Sequence, residues 1–171
     1  SSKITSNDNQ NDIISNIHSL IAKQYKYIFI TGGLGPTHDD ITKKALSQYF
    51  NESIILNRQY YNRLKKYFKN KNISHLKSQA EVLENSLPIP NRYGTALGML
   101  IKYKKSNIFV LPGVPREVKG MFKKEVIPSY LDPFLLKEIK SVTLLTTGVY
   151  ESKLFEILKP TIDSNLDLFK V

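Results

Sequence analysis

Apolar positions along this chain follow two alternating rhythms. In "NDIISNIHSLIAKQ", Ile13, Ile14, Ile17, Leu20 and Ile21 recur at helical spacing and predict an amphipathic helix. "YKYIFI" is then almost continuously apolar, the pattern of a short strand buried on both faces. "DDITKKALSQYF" returns to the helical rhythm through Ile41, Ala45, Leu46 and Tyr49, and "NRQYYNRLKKYFKNKN" repeats it with Tyr60, Tyr61, Leu64, Tyr67 and Phe68. Residues 72–97 keep neither rhythm and read as irregular, with "PIPN" at 88–91 excluding regular helix. "ALGMLIKYKKSNIFVLPG" predicts two strands joined by the polar turn "KYKKSN", then a helix from Pro115 and a linker through "YLDP". "IKSVTLLTT" predicts another strand and "YESKLFEILK" another helix.

Strand–loop–helix units in series argue for an α/β domain with a mostly parallel sheet, whose ligands sit at the carboxyl ends of the strands. The 171 residues suffice for one domain with its own core. The lack of cysteine excludes disulfides, thiol catalysis and thiolate metal sites. No apolar run reaches the roughly 18–20 residues that span a bilayer, and the polar start "SSKITSNDNQND" has no apolar leader region. A cytoplasmic protein without membrane contact is therefore expected. The net charge of +10 fits a polyanionic partner, but also a plain composition in which Lys far outnumbers Arg. The second reading is preferred, because phosphate and base readout lean on Arg.

The densest chemistry is in "TGGLGPTHDD", residues 31–40, directly after the first predicted strand. It is neither a G-x-G-x-x-G dinucleotide loop, since His38 stands at the third glycine, nor a P-loop, which needs Gly-Lys-Ser/Thr. A strand end, close-approach glycines and a following helix still make a plausible anion site. Against this stands a purely structural reading. Thr37 and Asp40 have capping-box spacing, and Asp39 and Asp40 in a first helical turn would favour the helix dipole. Capping alone does not need Gly32, Gly33 and Gly35, whereas two carboxylates beside a phosphate loop suit a bridging divalent cation.

"TGGLGPTHDDITKKAL" closely resembles the motif of the molybdopterin-binding domain family that includes MoaB and MogA, in the form of its competence/damage-inducible protein A (CinA) branch. "NRYGTALG" at 91–98, "FVLPGVPREVKGMFKKEVIP" at 109–128 and "TTGVYESKLFEIL" at 146–158 resemble further motifs of that branch, in order and over most of the chain. The resemblance implies a three-layer α/β/α sandwich with a mostly parallel sheet, over a single domain of residues 1–171. The strand and Gly-x-Glu loop that open the family domain are not found before residue 12, so the domain is expected to be N-terminally incomplete, lacking its first strand. Leu97 stands where the branch has Pro.

The activity implied by the resemblance is metal-dependent hydrolysis of a nucleotide pyrophosphate of the ADP-ribose or FAD class. Asp40 and Asp39 would be catalytic, and with Glu117 would hold Mg, Mn or Co. Phosphate or substrate would be bound by Thr31, Gly32, Gly33, Gly35, Pro36 and Thr37, by Gly94 and Thr95, and by Pro112, Gly113, Val114 and Pro115. The alternative is a non-catalytic module that binds molybdopterin or a nucleotide in molybdenum cofactor metabolism. Relatives imply a homo-oligomer, dimer or trimer. Nucleic acid is a third reading, from the acid-free stretch 58–77, but its aromatics fall at core spacing. His18, His38 and His75 have no metal-site spacing, and His38 reads as a solvent-facing loop residue.

Overall fold

In the computed structural model, which describes residues 2–69, 73–131, 145 and 147–164, the side chain of Asn9 accepts from the amides of Asn11 and Asp12 and starts helix α1 (Gln10–Ala22). Ile13, Ile17 and Ile21 of the predicted stripe are buried. Strand β1 (Tyr27–Thr31) follows, then helix α2 (Thr42–Phe50), whose end is turned by Asn51 in the left-handed conformation that Asn tolerates. Strand β2 (Ile54–Leu56) leads to helix α3 (Arg58–Tyr67), capped by Asn57 at its start and carrying Lys65 and Lys66 in its last turn, where cations suit the helix dipole. A 3₁₀ helix (Ser74–Ala80) precedes strands β3 (Glu81–Leu83), β4 (Leu87–Ile89), β5 (Gly98–Tyr103) and β6 (Ser106–Leu111). Helix α4 (Pro115–Met121) continues through a π-helical turn (Phe122–Val126) into α5 (Ile127–Tyr130).

The central sheet has the order β1-β6-β5-β4, and β2 and β3 form a separate antiparallel pair. The α/β class is as expected. In strand direction the described sheet is mixed: β1 runs parallel to β6, while β5 is antiparallel to both β6 and β4. The cause is local. Tyr103 pairs with Ser106 across the two-residue turn Lys104-Lys105, and so short a connection can only reverse the chain. Lys104 takes the positive φ (52°) that such a hairpin turn needs.

Side chains alternate across the sheet into two cores, which accounts for helices on both faces. Ile28, Met99, Ile101, Ile108 and Val110 join the core under α1, α2 and α3. Leu100, Phe109 and Leu111 pack on the opposite face with Ile89, Met121 and Val126. Strand β6 lies inside the sheet and is buried at five of its six positions, the continuous apolar run that a two-sided strand needs.

Four local expectations change. Strand β1 is not buried on both faces: Ile28 is 4% exposed but Phe29 is 42% exposed, since β1 ends the described sheet order. The stretch expected to be irregular at 72–97 is so only in part: among its described residues, 74–83 and 87–89 form the 3₁₀ helix and strands β3 and β4, too short to show a period, while 90–97 is loop; Pro88 is tolerated because β4 ends the described sheet order. Helix α2 begins at Thr42 rather than at the aspartates, so neither acid lies in its first turn. Tyr67, the last residue of α3, is exposed, while Tyr60 and Leu64 are buried.

The chain divides into two compact units, Ser1–Leu135 and Leu136–Val171. In the second, helix α6 (Glu151–Asp163) follows Gly148, which has a positive φ of 75°, and has no buried residue. The strand expected at 139–147 falls almost wholly outside the described residues. No helix among the described residues is long and apolar enough to cross a membrane.

Candidate functional site

Sheet topology gathers three loops at one edge. Parallel pairing in the register Thr31↔Leu111 brings the carboxyl ends of β1 and β6 side by side, and the amide of Gly32 donates to the Leu111 carbonyl at 3.0 Å. The antiparallel register Met99↔Val110 delivers the amino end of β5, and the loop before it, to the same edge. Between these loops lies a cleft of about 490 Å³. Gly33, Leu34, Gly35 and Asp40 line it from the first loop, Thr95 and Ala96 from the second, Pro112, Gly113 and Val114 from the third, and Pro115 and Glu117 from the first turn of α4; Gln79 of the 3₁₀ helix adds a further wall.

Nine of the predicted site residues thus meet on one cleft although they come from three separate stretches of chain. The remaining six lie around it. Thr31 and Gly32 line a neighbouring depression with Lys3, Ile17 and Thr42. Pro36, Thr37 and Asp39 are exposed on the outer part of the loop, where Asp39 meets Nε2 of His38 at 2.8 Å. Gly94 lies against Glu117: a β-carbon built on it would sit 2.2 Å from the carboxylate carbon. Glycine there leaves the Glu117 carboxylate in its present place, which a larger residue would displace.

Asp40 is held by its own loop. Its Oδ2 accepts the Thr37 amide at 2.9 Å and the Thr37 hydroxyl at 2.6 Å. This is half of a capping box, but it closes a free turn ahead of the helix, in which the Asp40 amide donates to the Thr37 carbonyl at 3.2 Å. Partial burial pushes the Asp40 pKa up; the Thr37 hydroxyl and amide, the Gly35 amide and Lys43 outweigh it and hold the carboxyl below its ordinary value. The glycine at 35 follows from the same contact, since a β-carbon would lie 2.4 Å from Asp40 Oδ2.

Behind the loop, Lys43 is only 5% exposed. Its ammonium donates to the Leu34 carbonyl at 3.4 Å and to the Ser78 carbonyl, tying the glycine loop to the 3₁₀ helix that carries Gln79. Burial pushes its pKa down, and Glu81 and Asp40 counter that in part. Sequence reasoning missed Lys43, because lysine is by default a surface residue. It missed Gln79 too, in a stretch without rhythm. The side-chain oxygen of Gln79 and the hydroxyl of Ser78 are buried without a hydrogen-bond partner.

Among the described residues no three His, Cys, Asp or Glu side chains cluster closely enough to form a metal cage. Two carboxylates, Asp40 and Glu117, do reach the one cleft. That donor set fits Mg²⁺-like ions, which are commonly held by one or two carboxylates plus substrate phosphate oxygens rather than by an all-protein shell. The helix richest in cations, α3, buries Tyr60 and Leu64 in the core, and Arg63 and Lys65 lie over the rings of Tyr60 and Tyr61 at 5.9 Å and 4.9 Å. Its aromatic rings are therefore largely occupied as packing.

The family described as "Probable molybdopterin binding domain" matches residues 2–132. A "Putative competence-damage inducible protein" of Caldicellulosiruptor saccharolyticus is 38% identical over 166 residues, covering 95% of this chain and 40% of that protein. A "CinA-like protein" of Flavobacterium psychrophilum is 40% identical over 156 residues, covering 88% of this chain and 37% of that protein. The chain thus spans about two-fifths of the length of these relatives. The crystal structure of a CinA protein of unknown function from Thermoplasma acidophilum has the same fold, with a TM-score of 0.62 at 24% identity over 68% of this chain and 69% of that one.

Proposed function

The chain belongs to the molybdopterin-binding domain family, and from that premise we propose that its cleft binds a nucleotide or pterin diphosphate and hydrolyses the pyrophosphate link of an ADP-ribose- or FAD-class substrate with a divalent cation. One observation carries this reading: Asp40 of the glycine loop and Glu117 of the first turn of α4, distant in sequence, line the same cleft.

The chain's own groups divide the work. The Gly33–Gly35 and Pro112–Val114 stretches line the cleft together and would meet a phosphate chain there. Gly32, Gly35 and Thr37 have already committed their amides to Leu111 and Asp40, so the phosphate would be met by the remaining loop groups and by Thr95. Asp40 and Glu117 present carboxylate oxygens; the bonds from Thr37 and Gly35 leave lone-pair capacity on Asp40. A divalent cation, when bound, would polarise the phosphoryl oxygens and acidify a bound water. Water is the simplest attacking group, because no side chain of the cleft has the hydrogen-bonded base that an activated nucleophile requires.

The test is AMP release from ADP-ribose and FAD with Mg²⁺, Mn²⁺ or Co²⁺, with Asp40→Asn beside the wild type. Metal-dependent release that is lost in the variant supports the reading; turnover unchanged in the variant removes Asp40 from it. The second reading, binding without turnover, is favoured by one feature: Asp40 is engaged in holding its own loop. Tight binding of a pterin or nucleotide without AMP release would establish it.

A further inference from the structure

Asn91 belongs to none of the groups assigned above, yet it is the most fully engaged polar side chain beside the cleft. It is 2% exposed. Its Nδ2 donates to the Ala96 carbonyl at 3.0 Å and to Glu117 Oε2 at 2.6 Å. Its Oδ1 accepts the amides of Tyr93 at 2.9 Å and Gly94 at 3.0 Å. Its main-chain carbonyl accepts the buried hydroxyl of Tyr60 at 3.2 Å, which anchors it to α3. A primary amide offers two donors and one oxygen with two lone pairs, and all of them are used here. Asp is the nearest isostere and cannot replace it, because it would lose both donors and face Glu117 with a like charge.

We propose that Asn91 is a positioning residue: its amide, fixed from α3 and from the 93–96 loop, holds the Glu117 carboxylate at the cleft. The same side chain shapes the turn that carries Thr95, so one residue sets both the hydroxyl and the carboxylate on that wall. Gly94 completes the arrangement by leaving space for Glu117. The role of Glu117 toward the ligand rests on the nucleotide reading above; the contact that aims it does not.

A double-mutant cycle tests this in the full chain with Asn91→Asp, Glu117→Gln and their combination. Asn91→Asp keeps an acceptor for the amides of Tyr93 and Gly94 and loses the donors to Glu117 and the Ala96 carbonyl. Mn²⁺-dependent ADP affinity, AMP release and melting temperature are read for each. Each single variant is expected to weaken ADP binding by about tenfold, and the double variant no further than Glu117→Gln alone, because both changes remove one function. The exchanged pair can re-form a hydrogen bond with reversed polarity, so the double variant should melt higher than Asn91→Asp. Losses that multiply, or an Asn91→Asp protein that binds as wild type, would overturn the proposal while leaving the nucleotide reading intact. A wild type that neither binds ADP nor releases AMP would sink the nucleotide reading. The melting temperatures then decide alone: a double variant no more stable than Asn91→Asp also overturns the positioning of Glu117.

Discussion

Oδ2 of Asp40 accepts from both hydrogen-bond donors of Thr37, the hydroxyl at 2.6 Å and the amide at 2.9 Å. A residue expected to act on a ligand is therefore also the closure of its own loop, and the two roles separate by substitution. Asn keeps an oxygen that accepts from Thr37, whereas Ala keeps nothing. Asp40→Asn should abolish metal-dependent AMP release while lowering stability only slightly. Asp40→Ala should lose activity and also about 1 kcal/mol in urea denaturation. Equal stability loss in both would mean that charge, not the loop bonds, matters.

The pH dependence follows from the same carboxyl. Its folded pKa lies below the ordinary value of 3.8, so the folded state holds the ionised form more strongly than the unfolded chain does. Its contribution to stability is present above the unfolded pKa and is lost as pH falls through the folded one. Below about pH 4 the stability of Asp40→Ala should therefore fall less steeply with pH than that of the wild type, measured by circular dichroism. Identical acid limbs in the two proteins would contradict the assignment.

Gly94 offers a change that harms the site more than the fold. A methyl group there would sit 2.2 Å from the Glu117 carboxylate carbon, at the end of a flexible side chain that can move aside. Gly94→Ala should lower ADP affinity by about tenfold with a stability change under about 1 kcal/mol, compared by calorimetry and thermal melting. Unchanged affinity would show that Glu117 does not need its present place.

Much of this was legible in the chain, and the exceptions have physical causes. The stripe of α1 and the apolar run of β6 were visible because burial imposes a period or a continuous run on long elements. Strands β2, β3 and β4 have three residues each, too few for a period. The glycine loop and the Pro-Gly-Val-Pro loop were paired by the family resemblance, not by their own chemistry, and β1–β6 pairing is what joins them in space. Asp39 looked equivalent to Asp40, since local sequence does not say which of two neighbouring acids turns inward. Lys43 and Asn91 were invisible as individual residues because their importance lies in partners distant in sequence, Ser78 for one and Glu117 for the other.

On the opposite face of the sheet, Phe109 is fully buried and stacks on Phe29 with ring centroids 5.0 Å apart and planes 12° apart, while Tyr130 meets it edge-on at 5.8 Å. It contributes nothing to the cleft lining, so Phe109→Ala tests fold without site. The cost should be about 3–5 kcal/mol in urea denaturation, from lost transfer energy and the cavity left behind. A loss below about 1 kcal/mol would mean that this core is looser than its burial indicates.

Lys43 gives the sharpest test of the electrostatics. Burial lowers its folded pKa below the unfolded value of 10.5. Between those two values the unfolded chain carries more protons than the folded one, so stability rises with pH across that window, and the buried charge is a cost at neutral pH. Lys43→Met removes that slope. It also leaves the carbonyls of Leu34 and Ser78 without their donor, which costs about 1–3 kcal/mol if water does not reach them. The expected result is a protein somewhat less stable at pH 7 whose unfolding free energy no longer climbs toward pH 10. Lys43→Arg retains a charge that cannot be shed in this range, and should be less stable than wild type by a margin that widens with pH. A Lys43→Met protein that keeps the wild-type slope would place the titration elsewhere and leave Lys43 as a donor only.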